Sequence, residues 1–338
     1  MSVSVVILNY NGKKHLAQFL PDVVRYSPDA QIVVADNGST DGSVDFLKNN
    51  FSDVKLICFE RNYGFAEGYN LALKNLSSDY FVLLNSDVLV TENWLKILID
   101  FLQNNSQVSA CQPKIRSFYD RQKFEYAGAC GGFIDEYGYP FCRGRIFDTL
   151  ETDNAQYDDI AEIFWATGAC LAIRATDFWQ AGALDGRFFA HQEEIDLCWR
   201  LKARGKSIVC VPKSVVFHVG GGTLNVESPM KTYLNFRNNL LLLYKNLPEN
   251  RLKKVFFVRF FLDIFAALIL FLQGKKENAA QIFNAKRDFR KMRKDFSPDR
   301  AHNLSLTQTP HPLGMLKGLI LFKYHLKNLK TFGKVLVE

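Results

Sequence analysis

Apolar residues gather in four short runs, Val3 to Leu8, Gln31 to Ala35, Val54 to Phe59 and Tyr80 to Leu84, separated by longer stretches in which they return at helical spacing. Short β-rich runs alternating with amphipathic stretches predict a mostly parallel sheet with helices between its strands. Each run ends in polar residues: Asn9-Tyr10-Asn11-Gly12, Asp36-Asn37-Gly38-Ser39, Arg61-Asn62-Tyr63-Gly64 and Asn85-Ser86-Asp87. Any one cluster reads as a turn, because Asn, Ser and Asp are turn formers. Four in succession predict a binding rim, since ligands of open α/β sheets sit outside the carboxyl ends of the strands.

Residues 113 to 163 lose this rhythm and carry five glycines, which predicts a loop-rich excursion. The run from Ile163 to Arg174 returns to the sheet. In the segment Phe188 to Gly205, acidic residues precede an amphipathic helix closed by glycine, and Ser207 to His218 reads as one or two strands. Leu252 to Leu272 is apolar, yet Arg259 and Asp263 interrupt it, so a helix lying on a membrane or packed against the rest is expected rather than a span. Leu313 to Lys334 would place Lys323, Lys327, Lys330 and Lys334 opposite Leu319, Phe322, Leu326 and Leu329 if it were one helix.

With 338 residues and 48% hydrophobic content, the chain is long enough for one large α/β unit plus an appended region. Its net charge of +7 is uneven. Residues 1–230 hold 21 Lys+Arg against 28 Asp+Glu, and residues 231–338 hold 21 against 7. An acidic front argues against a nucleic-acid groove, while a basic tail suits an anionic membrane surface or a phosphorylated partner. Lys286 to Lys294 packs six cations into nine residues, for which a solvated helix face, RNA and a lipid surface are the alternatives. The seven cysteines form no closely spaced pairs, and no basic segment precedes the first apolar run, so reduced thiols and a cytosolic setting are expected. No dinucleotide fingerprint follows the first strand, the glycines at 220–222 precede no lysine, and no nucleophile elbow is present, which disfavours dehydrogenase, P-loop and serine-hydrolase chemistry.

The segments VVILNYNG, VVADNGSTDGS, NYGFAEGYN, LLNSD and EEIDLCWRL, in this order, resemble the family 2 glycosyltransferases of GT-A fold, and among them the bacterial rhamnosyltransferase-like branch. The resemblance covers about Val3 to His218. It implies inverting transfer of a sugar from a nucleoside diphosphate donor, such as a dTDP- or UDP-sugar, to an acceptor hydroxyl. A departing diphosphate needs its charge met by a divalent cation, Mg2+ or Mn2+, held by hard oxygen ligands. Asp87 matches the cation ligand and His218 a position that binds metal or diphosphate in some relatives, though a lone histidine is as often structural. Asn85 stands where the family often has an acid, beside Ser86.

By the same resemblance Asp36, with Asn9, Tyr10 and Asn11, matches the nucleotide site; an N-cap on a helix from Ser39 is the alternative for Asp36. Asn62, Gly64 and Asn70 match the donor side, and Trp165, Thr167 and Gly168 the floor of the donor pocket, with core packing the alternative for Trp165. The acidic pair reads Glu193-Glu194, where Glu194 corresponds to the usual aspartate base; Glu193 stays open as the base, and charge near a helix N-terminus is a further reading of both. The expected architecture is a catalytic domain over residues 1–229 and a basic helical region over 230–338, peripheral at the inner face of the cytoplasmic membrane and acting on a lipid-linked or polysaccharide acceptor. A nucleotide-sugar binding protein without turnover and a sugar nucleotidyltransferase are the competing readings.

Overall fold

A computed structural model describes residues 1–220 and 228–337, so Gly221 and Gly222 of the glycine run lie outside the described residues. The predicted rhythm is present as β1 (Val3–Asn9), α1 (Lys13–Arg25), β2 (Gln31–Asp36), α2 (Ser43–Asn50), β3 (Lys55–Cys58), α3 (Gly64–Leu73), β4 (Tyr80–Asn85), β5 (Val88–Val90) and α4 (Trp94–Asn104). Strands β3, β2, β1 and β4 pair in parallel in that spatial order. Beyond β4 the sheet continues through β6 (Val108–Ser117), β11 (Ala161–Glu162), β12 (Cys170–Arg174) and β13 (Ser207–His218), in the order β4, β12, β6, β13, β11. Of these, β12 is antiparallel to both its neighbours and β13 runs parallel to β6.

Successive side chains of one strand point to opposite faces, and each face here is dry. Val6, Val33, Ala35, Phe81 and Leu83 enter one core cluster, whereas Val5, Ile7, Ile32, Val34, Val82 and Leu84 enter the other. α1 and α4 cover the second with Leu16, Leu20, Trp94 and Leu98. The first is covered by α3, by α6 (Glu193–Ala203) and by α7 (Pro229–Asn246), with Tyr69, Trp199 and the run Leu240 to Leu243 buried in it. Each such side chain contributes roughly 1.5–3 kcal/mol relative to exposure.

The irregular stretch folds into a small sheet, β7 (Gly132–Asp135), β8 (Pro140–Cys142), β9 (Arg145–Ile146) and β10 (Thr149–Leu150). Its outer strand is β14 (Met315–Leu316), which pairs in parallel with β7. Between α6 and β14 come α7, α8 (Glu249–Leu272), α9 (Lys276–Met292) and α10 (Ser297–Ser305), and a short helix α5 (Ala175–Gln180) precedes α6. Leu313 to Lys334 is not one helix: β14 gives way to α11 (Ile320–His325) and α12 (Phe332–Val337). Gly314 at φ +89° and Gly318 at φ +87° flank β14, and Asn328 at φ 56° follows α11, three left-handed positions that break the stretch. Phe332 packs against Phe133, Phe141 and Tyr157, so the tail shares the core of the front part. All seven cysteines are free thiols, six of them buried.

Candidate active site

Sheet register builds the first half of the site. Asn9 lies opposite Asp36, and Leu8 opposite Asn85, so the exits of β1, β2 and β4 stand side by side. Asn9 Nδ2 donates to Asp36 Oδ2 at 2.9 Å and to Ser39 Oγ at 3.1 Å, and Ser39 N donates to Asp36 Oδ1 at 2.9 Å. Asp36 is therefore no N-cap, because α2 begins four residues beyond Ser39 with Gly42 before it. Asn11, at φ 52°, donates its N–H to Ser39 Oγ and accepts from Thr40 N at 2.8 Å. Tyr10 is exposed beside them. A Cβ on Gly12 would come within 2.4 Å of Asn9 Oδ1 and 3.3 Å of Ser86 Oγ, so only glycine lets these exits close up. Asn9 Oδ1 itself is buried without a partner.

The break after Tyr80-Leu84 now has a geometric reason. After β4 the chain turns through Ser86 and Asp87, and β5 pairs antiparallel with the end of β13, with Val88 opposite His218. Asp87 is thereby delivered to the imidazole: His218 Nε2 lies 3.1 Å from Asp87 Oδ1, with Asn85 Nδ2 3.5 Å away. On the other side of the ring, Nδ1 stands 3.3 Å from Glu125 Oε2. Burial alone would push the imidazole down, but the two carboxylates lift its pKa to about 10. Burial likewise opposes charge on Asp87, yet His218, and more remotely His15, hold it below the usual carboxylate range.

The Asp87 carboxylate is a hard ligand that suits Mg2+ or Mn2+, and the His218 imidazole on the adjacent strand can join it only by giving up the proton its two carboxylate neighbours hold. Among the described residues no third ligating side chain completes a cage. This fits a cation whose remaining positions are filled by diphosphate oxygens and water.

The acidic pair forms the second half. Phe189, His191 and Gln192 have φ of 67°, 70° and 72°, a run of left-handed non-glycine residues immediately before α6. Such conformations cost about 1–3 kcal/mol each and persist only where neighbours enforce them. Asn238 of α7 is the enforcer: its Nδ2 lies 3.0, 2.8 and 2.8 Å from the carbonyls of Phe188, Ala190 and His191. Next to it, Asn239 Nδ2 donates to Gln192 Oε1 at 2.9 Å and to Gly138 O at 2.6 Å.

Glu193 is buried and Glu194 half-buried, and the Oε2 of each has no partner. Burial pushes both carboxyls up; Glu193 is raised further by its neighbour Glu194, while Glu194 settles at about 7. Asp196, by contrast, is tied to Arg200, Lys245 and Asn246 and works in the scaffold.

The two halves touch. Phe65 N donates to Phe189 O at 2.6 Å, and a Cβ on Gly64 would strike that same oxygen at 2.6 Å, so glycine at φ +79° admits the acidic loop to the exit of β3. Asn62 Oδ1 accepts from Gly64 N and from Asn37 Nδ2, fixing this exit to that of β2. Lys231, half-buried at the start of α7, feels Glu125 on one side and acts on His191 on the other.

Other residues singled out from the sequence face inward. Asn70 uses both amide atoms on the backbone of Leu184. Trp165 is buried with Nε1 donating to Phe133 O at 2.8 Å, and Thr167 Oγ1 accepts from Ala169 N. Gly168 admits the Phe65 ring, which a Cβ would meet at 2.9 Å. Glu125, His15, Lys231 and Asn238 join the site without having been singled out. Glu125 lies in the irregular stretch, where no periodicity marks a residue as buried. The only cue for Asn238 is a polar pair inside an apolar helix.

Residues 4–159 match the model of the Glycosyl transferase family 2. The chain is 26% identical over 230 residues to the N-acetylglucosaminyl-diphospho-decaprenol L-rhamnosyltransferase of Mycobacterium tuberculosis, covering 63% of this chain and 75% of that one. It is 21% identical over 264 residues to the dTDP-rhamnosyl transferase RfbF of Shigella flexneri, covering 72% and 81%. S. aureus TarS 1-349 in complex with UDP-GlcNAc superimposes with a TM-score of 0.56 at 17% identity, over 90% of this chain and 89% of that one. GalNAc-T7 with UDP, GalNAc and Mn2+ gives 0.58 at 16% identity, over 94% and 59%. The mixed, mostly parallel sheet is thus that of the GT-A transferases, and the segment 4–159, which carries the exits of β1 to β4, is that of a family 2 glycosyltransferase.

Proposed function

We propose that the protein transfers a sugar, with rhamnose the first candidate, from a dTDP- or UDP-sugar to a hydroxyl of a lipid-linked or polysaccharide acceptor, inverting the anomeric carbon. The observation that carries this reading is the Asp87–His218–Glu125 cluster, linked through Lys231 to His191 of the strained loop that leads into Glu193 and Glu194. The sugar and acceptor are suggested by the relatives named as rhamnosyltransferases, one of which acts on N-acetylglucosaminyl-diphospho-decaprenol by its name.

Asp36, Asn9 and Asn11 would take the base and ribose. Asn9 Oδ1 lacks a donor, and leaving a buried acceptor unpaired costs about 1–3 kcal/mol, so a ribose hydroxyl or base N–H would relieve it. Asp87 and His218 would hold the divalent cation, which when bound supplies positive charge to the departing diphosphate. Glu194 takes the acceptor's proton: the hydroxyl oxygen forms the bond to the anomeric carbon as the carbon–oxygen bond to diphosphate breaks, and that electron pair leaves with the diphosphate. A single displacement inverts configuration. Glu194 is preferred over Glu193 because Glu193 is the more deeply buried and its proton is held more firmly.

Incubation with a panel of nucleotide sugars and lipid-linked acceptors, read by mass spectrometry, tests the proposal. Acceptor-dependent release of nucleoside diphosphate with a dTDP- or UDP-sugar is expected. Release of pyrophosphate, or donor binding with no turnover on any acceptor, would contradict it.

A further inference from the structure

We propose that the outward face of α8 docks the protein onto an anionic lipid bilayer, with the helix lying in the headgroup plane. The inference goes beyond the reaction assigned above and does not depend on which sugar is moved.

Nine large apolar side chains between Phe257 and Leu272 are exposed. Six of them, Phe257, Phe261, Ile264, Phe265, Leu268 and Leu272, follow helical spacing and form one stripe, in which Phe257 is 67%, Phe265 59% and Leu272 75% exposed. Soluble proteins rarely leave so continuous an apolar surface in water unless something covers it.

Charge at the ends of the stripe identifies the cover. Lys253 and Lys254 are exposed one turn before Phe257, and Lys276 is exposed just past Leu272, with its ammonium 5.8 Å from the Phe271 ring. An apolar stripe bracketed by lysines fits an interface in which rings enter the acyl boundary and ammonium groups meet lipid phosphates. The neighbouring helix α9 adds the exposed Arg287, Arg290 and Lys291. A second copy of the chain in parallel is a poorer fit, since it sets Lys253 and Lys254 of the two copies against each other.

The opposite face of α8 explains why the helix lies down rather than spans. It is long and apolar enough to cross a bilayer and only 22% of its most apolar window is buried in the protein, but its inner stripe, Val255, Arg259, Asp263 and Ala267, is held there. Arg259 pairs with Asp263 at 3.1 Å, donates to Tyr137 O at 2.9 Å and to Asn239 Oδ1, and covers the Tyr139 ring at 4.5 Å. Spanning would strip these partners and carry a charged pair into hydrocarbon. Through Asn239 the same contacts reach Gln192, so a membrane-bound α8 stands one side chain removed from the acidic loop.

The test is flotation of the full chain with phosphatidylcholine vesicles, with and without about 30 mol % phosphatidylglycerol, whose negative surface attracts basic segments. Binding to the anionic vesicles alone, released by raising salt, is expected. The triple variant Phe257→Asp, Phe261→Asp, Phe265→Asp should bind at least about tenfold more weakly while keeping turnover on a water-soluble acceptor, and Lys253→Ala with Lys254→Ala should erase the preference for anionic lipid. Failure to float with either vesicle overturns the docking. So does a concentration-dependent dimer in sedimentation that the triple variant abolishes, or binding that resists high salt and alkaline extraction, which would mean a span. None of these results bears on transfer to a soluble acceptor, so the docking and the reaction fail separately.

Discussion

Glu194 holds its proton to about pH 7 because its carboxyl is withdrawn from water and Oε2 has no donor to stabilise the charge. A base must be ionised to act, so kcat/KM should rise with pH through about 7 and level off above it. The same shift acts on stability with the opposite sign. A carboxyl raised above its ordinary 4.5 favours the protonated folded state, so its contribution is present below that value and lost as pH climbs through about 7. Thermal melts should therefore show Tm falling across that window, with a shallower fall in Glu194→Gln.

Asp87 gives a separate expectation at this scale. Asp87→Asn should weaken donor affinity about tenfold or more when Mn2+ is present and leave the affinity measured in chelator nearly unchanged, because only the cation-linked part is removed. The sequence singles out Asp87 and Glu194 because each sits in a motif with a fixed neighbour. It does not single out Glu125, because what makes that residue matter is a contact with His218 from a segment without pattern.

Elements fix where these groups point. The parallel strands were readable because continuous apolar runs mark strands buried on both faces, and β13 was readable to His218, although its register slips between Val211 and Val215, where Pro212 cannot donate to the ladder. What the sequence hid is that α7 sets the acidic loop. Asn238→Ala should leave three carbonyls of a strained loop without their shared donor and lower stability by about 1–3 kcal/mol. It should also lower kcat about tenfold or more with donor KM little changed, and move the acid limb of the pH profile down towards the ordinary carboxylate value as the loop relaxes. A change in stability with an unmoved pH profile would show that Asn238 only supports packing. The basic amphipathic pattern of Leu313 to Lys334 misled because periodicity cannot see the three left-handed residues, Gly314, Gly318 and Asn328, that divide it.

At the scale of the whole molecule, the division at Pro229 suggested by charge falls at the first residue of α7, yet the core runs across it. β14 completes the small sheet, Asp135 Oδ2 accepts from Ile320 N at 2.9 Å, and Phe332 fills the space between Phe133 and Tyr157. Phe332→Ala should cost about 3–5 kcal/mol and lower a single cooperative melting transition, whereas two transitions with only one shifted would mark the tail as an independent domain. Charge composition separated the regions because it reports surfaces; it is silent on which apolar residues meet inside.

As the proposed base, Glu194 would serve a reaction centre that two distant motifs build together. The most direct measurement of that role is steady-state turnover of Glu194→Gln, with the donor affinity of the same variant by calorimetry. The variant's kcat should be lower by about 10²- to 10⁴-fold with donor binding retained. Turnover close to that of the unaltered protein would contradict the role.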